Sequence, residues 1–242
     1  MTLTSIGRGR CEFEAVGAIA INPCRQPISA YPSTMTGLTS YHLKLIAALT
    51  MLADHIGVVF YPDLDWLRII GRVSFPLFVW LLVQGEAHTK DIWRYGLRLG
   101  LLGLISQPIY QTTFDTERLN ILFLLLVGLV CLRAVRQQRT LMFPAWMLAV
   151  LIAESLNISY GGYGILLILL IRYFRPDLRW WLIWVGFHLI WAWYAGPFQL
   201  PVIAVPLLFV AFNGQRGPQA RWFYGFYPGH LALLALIFRF FA

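Results

Sequence analysis

Charge is scarce in this chain. Only 12% of its 242 residues are Asp, Glu, Lys or Arg, about half the roughly 25% of a soluble domain. That is too little to cover a globular surface facing water, so a soluble fold is excluded. Acidic residues are scarcer than basic ones, 11 against 19, which leaves a formal net charge of +8. Cysteine is nearly absent: Cys11, Cys24 and Cys131 show no C-x-x-C spacing, which removes a disulfide framework and a zinc site. Dinucleotide-binding, P-loop, HExxH, GxSxG and paired-carboxylate patterns are missing too. No internal repeat of fixed period is visible.

What is there in abundance is apolar side chain. Hydrophobic residues make up 59% of the sequence and aromatics 16%, including ten Trp, and the mean hydropathy is +0.66. Trp in such numbers suits side chains anchored at headgroup depth. Nine apolar segments follow one another: 43–60, 67–85, 95–111, 119–135, 141–154, 161–174, 180–196, 198–212 and 228–241. They predict an all-α protein, a polytopic transmembrane bundle of about nine helices. Several fall short of the ~20 residues that span a bilayer. The fifth and sixth either cross separately or form a re-entrant pair.

The basic residues sit in short connections between these runs, which favours the positive-inside rule over a nucleic-acid partner. Arg8, Arg10, Arg25 and Lys44 precede or open segment 1. Lys90, Arg94 and Arg98 follow segment 2, and Arg133, Arg136 and Arg139 follow segment 4. Arg172, Arg175 and Arg179 follow segment 6, and Arg216 and Arg221 follow segment 8. The intervening connections carry Asp63, Asp65, Asp115, Glu117 and Glu154. This alternation predicts an odd number of spans, the N-terminus in the cytoplasm and the C-terminus outside. Residues 1–40, with Pro23, Pro27 and Pro32 and no sustained apolar run, read as a disordered cytoplasmic tail. Met35 is an alternative start. Residues 41–242 are the membrane domain.

An ionisable side chain inside an apolar span costs ~2.5–3.5 kcal/mol on insertion scales and so needs a partner or a job. Segment 1 holds Asp54 and His55 within LTMLADHIGVVF, and segment 2 holds Arg72 within IIGRVSFPLF. Both sites fall in the outer half at similar depth, so an Asp54–Arg72 ion pair is expected. Two readings stand. Either the pair only staples two helices, or a carboxylate orients His55 as an acid–base group. Asn120 opens segment 4 and Tyr160, with Gly161 and Gly162, opens segment 6 at the same level, as candidate substrate-binding positions or as caps and turns. On the cytoplasmic side lie His88, Arg94, Arg98, Arg216, Arg221, Tyr227 and His230. Arg98 sits within an apolar stretch and His230 at an expected helix start, where both favour an anion. His188, in a Trp-rich span, reads as a packed residue.

In order, LKLIAALTMLADHIGVVF, RIIGRVSFPLFVWLLVQG, NILFLLL, SYGGYGILLILL and FYPGHLALL resemble the TraX family, and the related TrbP proteins of conjugative plasmids. The likeness covers residues 41–242. TraX proteins are described as pilin N-acetylases within a wider group of membrane acyltransferases that use acyl-CoA. The resemblance therefore implies acetyl-CoA as co-substrate, a pilin subunit and membrane lipids as partners, and no metal. It implies His55 as general base, Asp54 orienting it, and Arg72 holding Asp54 or polarising the thioester carbonyl. Asn120, Tyr160 and Gly161 would meet the acceptor, and Arg98, His230, Arg94 and Tyr227 the donor. A non-enzymatic component, a proton-coupled transporter or a pilus-assembly scaffold, is the rival reading.

Overall fold

Thr39 starts the first helix. Its hydroxyl accepts from the His42 amide while the His42 imidazole accepts from the Thr39 N–H. This is a capping box with histidine in the place usual for Glu or Gln. The computed structural model describes residues 37–241; most of the tail expected over 1–40 lies outside them. Among the described residues the order is α1 (Ser40–Phe60), α2 (Asp65–Gly71), α3 (Ser74–His88), α4 (Ile92–Phe114) and α5 (Ile121–Gln137). There follow α6 (Met142–Ser155), α7 (Gly161–Arg172), α8 (Leu178–Ala195), α9 (Pro206–Val210) and α10 (Trp222–Phe241), with short 3-10 helices at Arg139–Leu141 and Pro197–Ala204. Strand-type pairing among the described residues is limited to two isolated bridges, Leu38 to Phe212 and Leu119 to Ile158.

The nine apolar runs all become helical, and their breaks have local causes. The second run divides at Arg72–Val73, where the Ser74 hydroxyl donates to the Gly71 carbonyl at 2.7 Å. The eighth is a 3-10 helix followed by one short α-turn, because Pro201 and Pro206 remove two backbone donors. The ninth begins six residues earlier than its apolar pattern, at Trp222, and runs through Pro228.

Ser40–Phe60, Asp65–His88 (α2 and α3 together) and Trp222–Phe240 are long and apolar enough to cross a membrane. Helices α6 and α7 pack against each other; at 14 and 12 residues they reach about 21 and 18 Å, less than a ~30 Å hydrocarbon core. The outside is apolar: on α8, Ile190, Trp193 and Tyr194 are 70%, 90% and 81% exposed. Apolar exposure on this scale suits lipid rather than water, and the molecule is a membrane protein.

The core centres on α3, which packs on α1, α5 and α7. Trp80 is fully buried and stacks on Phe209 at 4.5 Å. At the far end of α3 the Glu86 side chain is wholly buried. It is held by Arg136 at 3.1 Å and Arg133 at 3.8 Å, both from α5. Those arginines do more than set topology, since they neutralise an acid the core encloses.

Candidate active site

Helices α1 and α2 form a tight hairpin because Gly71 presents no side chain; a Cβ there would collide with the Asp54 side chain. The close approach brings Arg72 Nη2 to Asp54 Oδ1 at 2.8 Å, with both side chains nearly enclosed. Arg72 Nε also donates to the Arg68 carbonyl at 3.3 Å. The Phe198 ring lies against both guanidinium groups, at 5.0 Å from Arg68 and 5.2 Å from Arg72. The expected ion pair is therefore present, held at the break between α2 and α3.

His55 follows Asp54 directly, so its side chain projects about 100° further round α1. It does not meet Asp54, whose carboxylate is engaged by Arg72; the expectation that Asp54 orients the imidazole is corrected here. Its partner is His230. His55 Nδ1 lies 2.7 Å from His230 Nε2, with the rings nearly parallel and 5.0 Å apart. His230 Nδ1 lies 2.7 Å from the Phe226 carbonyl, which can only accept. In neutral His230 the proton therefore sits on Nδ1 and Nε2 is an acceptor. His55 Nδ1–H must donate to it, and the lone pair of His55 is left on Nε2. That assignment follows from the hydrogen-bond network. Phe114 packs edge-on to His55 at 4.8 Å and Phe226 stacks on His230 at 4.7 Å.

The placement of His230 beside His55 overturns its expected position among the inner-face cations. The sequence reading put it at a helix start. Because α10 begins at Trp222, His230 lies about two turns inside the helix and is buried. The other donor candidates separate as well. Arg98 Nη1 reaches the Tyr224 hydroxyl at 3.5 Å. Arg94 is exposed and pairs with Asp91 at 3.0 Å. Tyr227 is buried and packs edge-on against His230 at 5.8 Å, so it stays with that histidine rather than with the two arginines.

Tyr160 lies with the ion pair, close enough to Asp54 and Arg72 to feel their charge. Its φ of +69° is left-handed, a strained position for a bulky side chain. Its ring stacks on Phe75 at 4.1 Å. Gly161, also left-handed, leaves room for Glu154, whose Oε1 accepts from the Gly162 N–H at 2.6 Å and so caps α7. Asn120 is fully buried; it donates to the Gly103 carbonyl and to Gln107, and caps α5 through Leu122. Gly161 and Asn120 are thus engaged in holding elements together.

Two polar pairs escaped the sequence reading. Tyr110 Oη meets Ser159 Oγ at 2.8 Å. His188 Nδ1 bonds to the Trp184 carbonyl, so its Nε2 accepts from the Tyr163 hydroxyl at 3.3 Å. Beyond His188, which reads from the sequence as a packed residue, the hint of them is the spacing of Ser159, Tyr160 and Tyr163 in SYGGYG.

A family model described as TraX protein matches residues 40–238. The chain is 25% identical over 229 residues to the probable fimbrial assembly protein FimC, serogroup H1, of Dichelobacter nodosus, covering 81% of this chain and 94% of that protein. It is 30% identical over 89 residues to protein TraX of Escherichia coli, covering 34% of each. No solved structure matches it. The matched span takes in both helices of the His55–His230 pair and both sides of the Asp54–Arg72 pair, and on that match the chain belongs to the TraX family.

Proposed function

We propose that the protein is a membrane-embedded acetyltransferase acting on a pilin-type subunit during pilus or fimbrial assembly. It takes the acetyl group from acetyl-CoA and places it on the subunit's N-terminal amine. The observation that carries this reading is the His55–His230 pair: a histidine with one ring nitrogen tethered and the other free to take a proton, next in sequence to the Asp54 that holds the buried Arg72. The assembly role is supported by the family and by the fimbrial relative.

In the reaction the amine nitrogen attacks the thioester carbonyl carbon. The N–C bond forms, the C–S bond breaks, and the amine proton passes to His55 Nε2 and on to the leaving thiolate. His230 holds the His55 ring and stabilises the imidazolium as it forms, the part a carboxylate plays in the usual nucleophile–base–orienter arrangement. Asp54 holds Arg72, and in this reading Arg72 draws charge from the carbonyl oxygen. Tyr160 lines the acceptor side. Alternating loop charge orients the bundle with the 90–98, 133–139 and 172–179 connections in the cytoplasm of a bacterial inner membrane. The donor then approaches from the cytoplasm and the pilin amine from outside.

Mass spectrometry of the cognate pilin in cells with and without the gene tests this. An N-terminal gain of one acetyl group that needs the wild-type chain and is lost in His55→Ala supports it. Pilin left unmodified by the wild-type chain rejects it and turns attention to transport, for which an intramembrane His pair is also suited.

A further inference from the structure

Three cations from distant parts of the sequence lie toward the end of the α1–α10 contact opposite His55. Lys44 Nζ lies 5.7 Å from the centre of the Phe223 ring, and Arg216 is near enough for its charge to act on Lys44. The loop that carries Arg216 is latched to the start of α1: Tyr41 N–H donates to the Arg216 carbonyl at 3.1 Å and Ser40 N–H to the Gln215 carbonyl at 2.8 Å. Arg98, from α4, lies 5.8 Å from the ring of Tyr224, the residue after Phe223. Among the described residues, the ion pairs join Asp54, Glu86 and Asp91 to other arginines, and none neutralises Lys44, Arg216 or Arg98. Like charges gathered without a counter-charge repel, and an anion between them removes that cost.

The spacing to His55 adds a second argument. Lys44 and His55 are eleven residues apart on α1, close to three full turns, so they share one face and stand about 16 Å apart along the axis. On α10, Phe223 and His230 are seven residues apart, also on one face. The Lys44–Phe223 and His55–His230 contacts therefore mark the two ends of a single seam. A pantetheine arm has about the reach of four or five extended residues, roughly 15–18 Å. A donor with its phosphates at one end of the seam would present its thioester at the other.

We propose that Lys44, Arg216 and Arg98 form the phosphate site of the acyl donor, with the diphosphate-bearing end of CoA held there and its arm directed along the α1–α10 seam to His55. This rests on the acetyl-CoA reading. It replaces the expected set of Arg98, His230, Arg94 and Tyr227, keeping only Arg98.

Calorimetric titration of the purified full chain, in an uncharged detergent, with CoA and with phosphate-free pantetheine tests the site. Lys44→Gln and Arg216→Gln should each weaken CoA binding roughly tenfold, the usual size for one charge-assisted contact, with pantetheine affinity and melting temperature unchanged. Lys44→Arg should restore CoA affinity, and Arg175→Gln, an exposed cation of another loop, should not alter it. CoA affinity unmoved in both Gln variants overturns the site. So does unmoved CoA affinity with loss of co-purifying phosphatidylglycerol in native mass spectrometry, which makes the cluster a lipid-headgroup site. A wild-type chain that binds no CoA at all rejects the donor reading itself, and the site with it.

Discussion

At the scale of single residues, the functional weight rests on two histidines 175 positions apart. His55→Ala should abolish pilin acetylation, by ~10²-fold or more as for loss of a positioned base, while the chain still inserts, because removing an ionisable group from a span eases insertion. Labelled pilin and a membrane fraction blotted for the protein read the two effects. His230→Leu should lower kcat by about 10²-fold and leave the KM for acetyl-CoA in place, since His230 positions the base. A raised KM with kcat intact would put His230 back at the donor. Asp54→Asn has another character. It leaves the Arg72 guanidinium buried without its carboxylate, a loss of about 3–5 kcal/mol for a broken buried pair. The variant should therefore melt early in detergent, and the double change Asp54→Leu/Arg72→Leu should recover most of that stability without recovering activity.

At the scale of helices, the site depends on how closely α1 and α2 approach. Gly71→Ala puts a methyl where the Asp54 side chain stands. Overpacking of this kind costs about 1–3 kcal/mol, and here it also separates the ion pair, so stability and activity should fall together. A variant with wild-type melting temperature and turnover would show that the hairpin has slack. The helices themselves were legible in the sequence: each apolar run is helical, and the depth argument paired Asp54 with Arg72 because hairpin neighbours meet. What could not be read was direction around an axis and the true start of α10. Asp-His in sequence suggests a dyad, yet consecutive helical residues face different neighbours, and only the packing of α10 on α1 reveals which histidine His55 meets. The six residues before Pro228 look like a loop because proline usually ends a helical pattern. In α10 the helix passes through it, which moves His230 from an edge to the interior.

At the scale of the whole molecule, the charge alternation makes a direct prediction about sidedness. Single cysteines introduced at 62–66 should react with a membrane-impermeant reagent in intact cells, and those at 134–138 only after the membrane is opened. Labelling of 134–138 from outside reverses the orientation and with it the side from which the donor arrives. The Glu86 contact bears on how such a bundle is made. Its arginine partners lie 47 and 50 residues further along the chain, on α5. During synthesis α3 leaves the ribosome carrying an acid for which no cation has yet been built. The first three helices therefore cannot settle as a finished unit; they must wait, with that carboxylate still near water, until α5 enters beside them. A chain halted after residue 120 should be cleared by membrane proteases, whereas one halted after residue 140 should persist.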